Sequence, residues 1–90
     1  MTLTEFLLAR IAEDEAAALS RLRGHRELPE TERESRVFAE CKAKRRIVEM
    51  GEAIEQQSPD RGRRDVAGAT LQLLALPYVD HPDYDEEWRP

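Results

Sequence analysis

Residues 2–24 read TLTEFLLARIAEDEAAALSRLRG, and this stretch decides the fold class. Thr2 followed by Glu5 is a capping box, in which a hydroxyl and a carboxylate each satisfy a free backbone N–H at a helix start. Leu8, Ile11, Glu15, Ala18 and Leu22 then recur at helical spacing, with Leu7 and Leu19 widening the stripe. Ala16-Ala17-Ala18 adds high helix propensity and leaves room for a neighbouring helix. Gly24 supplies a stop. The pattern predicts a helix over residues 3–23, about 30 Å long.

Working outward, His25 to Glu30, with Pro29, reads as a linker. Thr31 and Glu34 form a second capping box. Val37, Phe38, Cys41, Lys44/Arg45 and Val48 trace a second stripe, with Ile47 beside it. A helix over 31–50 follows; Gly51 either ends it or is tolerated at about 1 kcal/mol, so that Ala53 and Ile54 carry it to Gln56. The two helices make a helical hairpin. Residues 57–64 hold no large apolar side chain and read as an exposed loop. Val66, Ala69/Thr70, Leu73, Leu74 and Leu76 predict a short third helix over 66–76, halted by Pro77. A buried strand at Leu71 to Leu74 is the weaker alternative, since Leu and Ala outnumber β-branched residues there. Residues 77–90 are expected to run as an extended segment that docks Tyr78, Tyr84 and Trp88 on the hairpin. The expected architecture is all-α, a single helical domain over residues 1–90.

The core is thin. Leu, Ile, Val and Phe supply 19 of 90 residues, close to the ~20% below which highly charged chains stay disordered. A second subunit or a protein partner is therefore expected to complete it. Net charge is −5, and residues 46–90 carry all of it, because basic and acidic groups balance over residues 1–45. No apolar run suits a membrane span, and no basic stretch leads into an apolar one as in a signal peptide. The lone Cys41 and two distant histidines offer neither a disulfide nor metal-ligand spacing. A reducing cytoplasm is the expected setting.

Arg36, Lys42, Lys44, Arg45 and Arg46, with Arg33, form the one basic cluster. Such residues can contact phosphates or an acidic partner; the preferred reading is a solvated face salt-bridged to Glu13, Asp14 and Glu15 of the first helix. Arg61-Gly62-Arg63-Arg64 reads as a solubilising loop rather than an RNA-binding run. Asp80, His81 and Asp83 could serve as metal ligands or an acid–base pair; the simpler reading has His81 bonding a backbone group and turning the chain. Cys41 lies on the apolar stripe, where a small buried hydrophobe is the default. No phosphate-cradling loop, nucleophile motif or paired catalytic carboxylates appear.

Two stretches carry a resemblance. One is Glu40-Cys41-Lys42-Ala43-Lys44-Arg45-Arg46-Ile47-Val48-Glu49. The other runs from Leu71 to Tyr84 and resumes at Glu87-Trp88-Arg89-Pro90, with Pro77, Tyr78, Asp80, His81, Pro82, Tyr84 and Trp88 as its signature. Together with the opening Leu3 to Glu15, they resemble an uncharacterised family of small actinobacterial and phage-associated proteins. That resemblance implies no activity. Many relatives insert a cysteine-containing segment suggestive of metal binding, whereas residues 51–70 here hold neither Cys nor His, so a metal role does not carry over. The expectation is a non-enzymatic interaction module, self-associated as a homodimer or bound to a protein partner. A nucleic-acid-associated regulator using the basic helix is second. No cofactor, metal, small-molecule substrate or membrane contact is expected.

Overall fold

The computed structural model describes residues 1–24 and 28–90. Three helices follow in order: α1 (Leu3–Gly24), α2 (Leu28–Gln57) and α3 (Arg61–Ala75). No strand occurs among the described residues, and the fold is all-α. At 1.5 Å per residue α2 is about 45 Å long, and it sets the long dimension of a 49 × 26 × 17 Å molecule.

The α1 start matches its sequence signature. The Thr2 N–H donates to Glu5 Oε1 and the Glu5 N–H to Thr2 Oγ1, both at 3.1 Å. These bonds hold the Glu5 carboxyl below the ordinary carboxylate range. The buried side of α1 is Phe6, Leu7, Arg10, Ile11 and Ala18, while Leu8 is half-buried and Leu19 is exposed. The stripe is thus rotated toward Phe6 and Arg10 relative to the spacing of Leu8, Ile11 and Glu15. Two neighbours impose that rotation, since Phe6, Leu7 and Ile11 join the shared core and Phe6 also meets the rings of the tail.

The starts of α2 and α3 and the form of the tail differ from expectation, while α2 takes the longer of its two expected ends. The linker assigned to 25–30 is shorter, because α2 already begins at Leu28; residues 25–27 lie outside the described residues. Pro29 does not delay the helix, since a proline in a first turn lacks only an N–H that would have no partner there anyway. Thr31 therefore lies inside α2, not at its cap, and Glu34 is buried, facing Arg21 at 3.5 Å. Gly51 does not end α2, which continues to Gln57. Its missing side chain serves a close approach instead: a Cβ there would lie 3.1 Å from Leu71 Cδ2 on α3.

The expected loop 57–64 is mostly helix. Only Ser58 to Asp60 connect α2 to α3. The Asp60 side chain caps α3 by accepting from the Arg63 N–H at 3.0 Å, and the Arg64 guanidinium donates to the Ser58 carbonyl at 2.7 Å. Arg61-Gly62-Arg63-Arg64 is consequently the first turn of a helix, where polar residues meet solvent by position. Nor is the tail extended. Leu76–Tyr78 and Glu86–Trp88 are single 3-10 turns, linked by i to i+3 bonds from the His81 N–H to Tyr78 and from the Tyr84 N–H to His81. Pro77 occupies an early turn position, which its fixed φ suits. The core runs through all three helices as Phe6, Leu7, Ile11, Cys41, Val48, Leu71 and Ala75.

Gly51 and Gly68 predict opposite responses to the same change. A Cβ on Gly68 would meet only the movable carboxylate of Glu55, at 3.3 Å. Gly68→Ala should therefore raise stability by about 0.5–1 kcal/mol through helix propensity, a melting shift of about 3–6 °C. Gly51→Ala should show no such gain, because the fully buried Leu71 has nowhere to move. Thermal unfolding of both variants checks this.

Candidate functional site

Two places gather the residues that matter: the C-terminal tail against α1, and the open side between α2 and α3. At the first, Phe6 is 0% exposed. Its ring meets those of Trp88 at 5.0 Å, His81 at 5.6 Å, Tyr84 at 6.0 Å and Tyr78 at 6.2 Å between centroids. Most of these contacts are edge-to-face, and Tyr84 and Trp88 stand at 90° to each other, the geometry that aromatic quadrupoles favour. The tail thus docks all three of its aromatics around one α1 side chain.

Arg10 lies one turn beyond Phe6, which puts both on the same helix face. Its guanidinium carbon sits 5.1 Å from the centre of the Phe6 ring, and the residue is only 7% exposed. A buried cation needs partners. Arg10 Nη2 donates to Glu13 Oε1 at 2.8 Å, and Nη1 lies 3.9 Å from Asp83 Oδ2. The same Nη1 contacts both ring nitrogens of His81, with Nδ1 at 2.8 Å. His81 Nδ1 also accepts from the Asp83 N–H at 3.0 Å. His81 turns the chain through a backbone bond, as its sequence context suggested, and in addition meets a cation from another element. An arginine among the inward residues of α1 was the sequence signal for that contact, and the apolar-stripe reading passed over it.

One turn further along α1, Asp14 accepts a 2.7 Å hydrogen bond from the Tyr78 hydroxyl. Burial, then the bond to this carboxylate and its charge, push the Tyr78 phenol well above the ordinary tyrosine value, with Cys41 adding to the rise and Arg10 opposing it. Asp80 and Pro82 are exposed, as is Pro77. Of the tail signature, then, Tyr78, His81, Tyr84 and Trp88 make the contacts, while Pro77, Asp80 and Pro82 lie at the surface. Among the described residues, no three His, Cys, Asp or Glu side chains gather closely enough to share a metal ion.

The basic residues of α2 do not form one face. At about 100° per residue, Lys42 and Lys44 stand about 200° apart around the axis. Arg45 bonds Glu15 of α1 at 2.5 Å, and Lys42 lies 4.9 Å from the centre of the Phe38 ring. Arg36, Lys44 and Arg46 are exposed. Of the three α1 acids expected to answer them, only Glu15 pairs with this cluster. Glu13 is taken by Arg10 and Asp14 by Tyr78. Cys41 is buried, and burial followed by the nearby charges of Asp14 and Glu15 pushes its thiol up, with Lys44 opposing. A thiol held protonated in this way is a poor nucleophile.

The second place is apolar. A groove of about 620 Å³ runs between α2 and α3, lined by Ile47, Met50 and Ile54 on one side and Val66, Ala67 and Thr70 on the other. Leu73 extends the α3 side by a further turn. Val66, Met50, Leu73 and Ile47 are 68, 58, 57 and 41% exposed. By spacing, Val66 and Leu73 belong to the inward stripe of α3, and Ile47 lies beside that of α2. Gly51 and Leu71 bring the helices so close that the inward positions go to Gly51, Ala67, Leu71 and Ala75, and the larger side chains flank the contact.

The tail docking gives two measurable expectations. Phe6→Ala should cost about 3–5 kcal/mol and abolish the near-ultraviolet circular dichroism of Trp88. Tyr78→Phe should cost about 1–2 kcal/mol at neutral pH. Because the folded-state phenol is raised, the stability it contributes is complete below the ordinary tyrosine pKa of about 10 and is lost as pH climbs through the raised value. Urea midpoints should therefore fall more steeply above about pH 10 in the parent than in Tyr78→Phe.

No curated protein and no solved structure matches the chain. A family model does match over residues 1–90, spanning both motif stretches and all three helices. The chain belongs to the family of unknown function DUF6221.

Proposed function

We propose that this chain is a non-enzymatic protein-interaction module that binds a protein surface, its own or another's, through the α2–α3 groove. The observation that carries the reading is the set of large apolar side chains, Ile47, Met50, Val66 and Leu73, left in water on one side of a small domain. Contiguous exposed apolar surface of this kind marks interaction sites. The polar groups at the tail, by contrast, are largely paired with one another. Arg10, Glu13, His81, Asp83, Asp14 and Tyr78 are engaged in holding the tail, and the Cys41 thiol is buried. Among the described residues no helix is long and apolar enough to cross a membrane, and a free buried cysteine suits a reducing, cytoplasmic setting.

The competing reading is a nucleic-acid-associated regulator gripping phosphates through α2. It has less support, because its basic side chains point around the helix and Arg45 is spent on Glu15.

Affinity capture with the tagged full chain, at low and high salt, separates the two. Apolar docking predicts a bound protein that survives high salt and is lost with Met50→Glu plus Val66→Glu. Nucleic acid retained only at low salt, and lost with Arg45→Glu plus Arg46→Glu, would replace this reading with the competing one.

A further inference from the structure

We infer that the occupant of the α2–α3 groove is a second copy of this chain, joined about a two-fold axis running parallel to the helices. The inference rests on the reading of that groove as an interaction surface and commits it to one partner.

The register of α2 against α3 is set where a Cβ on Gly51 would meet Leu71 and one on Gly68 would meet Glu55. Residue 51 is thus level with 71, and 55 with 68, so the helices run antiparallel. A two-fold axis along them lays α2 of each copy over α3 of the other, again antiparallel, which completes a four-helix bundle. In this arrangement Ile47 and Met50 of one copy fall level with Leu73 of the other, and Ile54 lies near the level of Val66. Each apolar group meets another apolar group, as a self-complementary isologous contact requires.

Charge points the same way. The chain carries −5 overall, and five of its acids lie in residues 78–90. In the groove lining the signs balance instead, with one acid, Asp60, and one base, Arg63. A surface built for a strongly acidic or basic partner would carry one sign; a neutral one suits its own copy. The size also suffices. Two helices about 22 Å long and about 8–10 Å apart offer a footprint of roughly 400–500 Å² per copy. The pair together comes to roughly 800–1,000 Å², at the lower edge of what a specific interface needs.

Analytical ultracentrifugation of the purified full chain, from low to high micromolar, tests the inference. A monomer–dimer equilibrium is expected, weakened at least about 30-fold by Met50→Glu plus Val66→Glu. The milder Met50→Ser plus Val66→Ser should weaken it less. Leu19→Glu, an exposed apolar position on α1, should leave it unchanged. Circular dichroism on each variant confirms that the helices persist. A monomer at every concentration, or a dimer indifferent to both double variants, overturns the inference. In the monomer case, a foreign protein captured through Met50 and Val66 would leave the interaction reading standing while this inference falls. Absence of both self-association and capture in the parent chain would bring down the two together.

Discussion

The structure depends on the burial of Phe6. Phe6, near the start of α1, joins the core that the three helices share. The C-terminal segment completes its cover, with Tyr78, His81, Tyr84 and Trp88 around one ring. Burying an aromatic and its neighbours in this way is among the larger favourable terms open to so short a chain. The acidic tail would otherwise have every reason to stay in solvent. Its carboxylates face outward while its rings turn in, so the segment is ordered without losing its hydration.

Arg10 follows from the same constraint. A guanidinium one turn from Phe6 is drawn under the tail and loses most of its water. That loss is tolerable only because Glu13, Asp83 and His81 converge on it. Tyr78 and Asp14 repeat the arrangement one turn along α1. The polar side chains that might have looked like a reactive constellation are thereby committed to one another, and they hold the C-terminal segment down on α1.

The α2–α3 contact has the opposite character. Gly51 lets Leu71 approach so closely that small residues take the inward positions, and the larger apolar side chains are displaced to the flank. A three-helix layer this thin cannot bury both sides of α3. One side completes the core; the other is left exposed. The molecule therefore has a polar network around Arg10 at one place and an exposed apolar surface at another.

Much of this was legible in residue order. The Thr2–Glu5 capping box, the apolar spacing of α1 and the concentration of aromatics at 78, 84 and 88 specify helices and a docked tail, because these features act over a few residues and need no distant partner. Boundaries were less legible. Pro29, Gly51 and the run Arg61 to Arg64 all look like interruptions, since first turns are polar by position and a glycine that ends a helix looks the same as one that admits a neighbour. Only the tertiary structure decided that Gly51 makes room for Leu71, that Arg10 meets His81 across 71 residues of chain, and that Val66 and Leu73 face water. Sequence periodicity shows which residues share a helix face, but which of those faces is covered depends on how closely the neighbouring helix approaches.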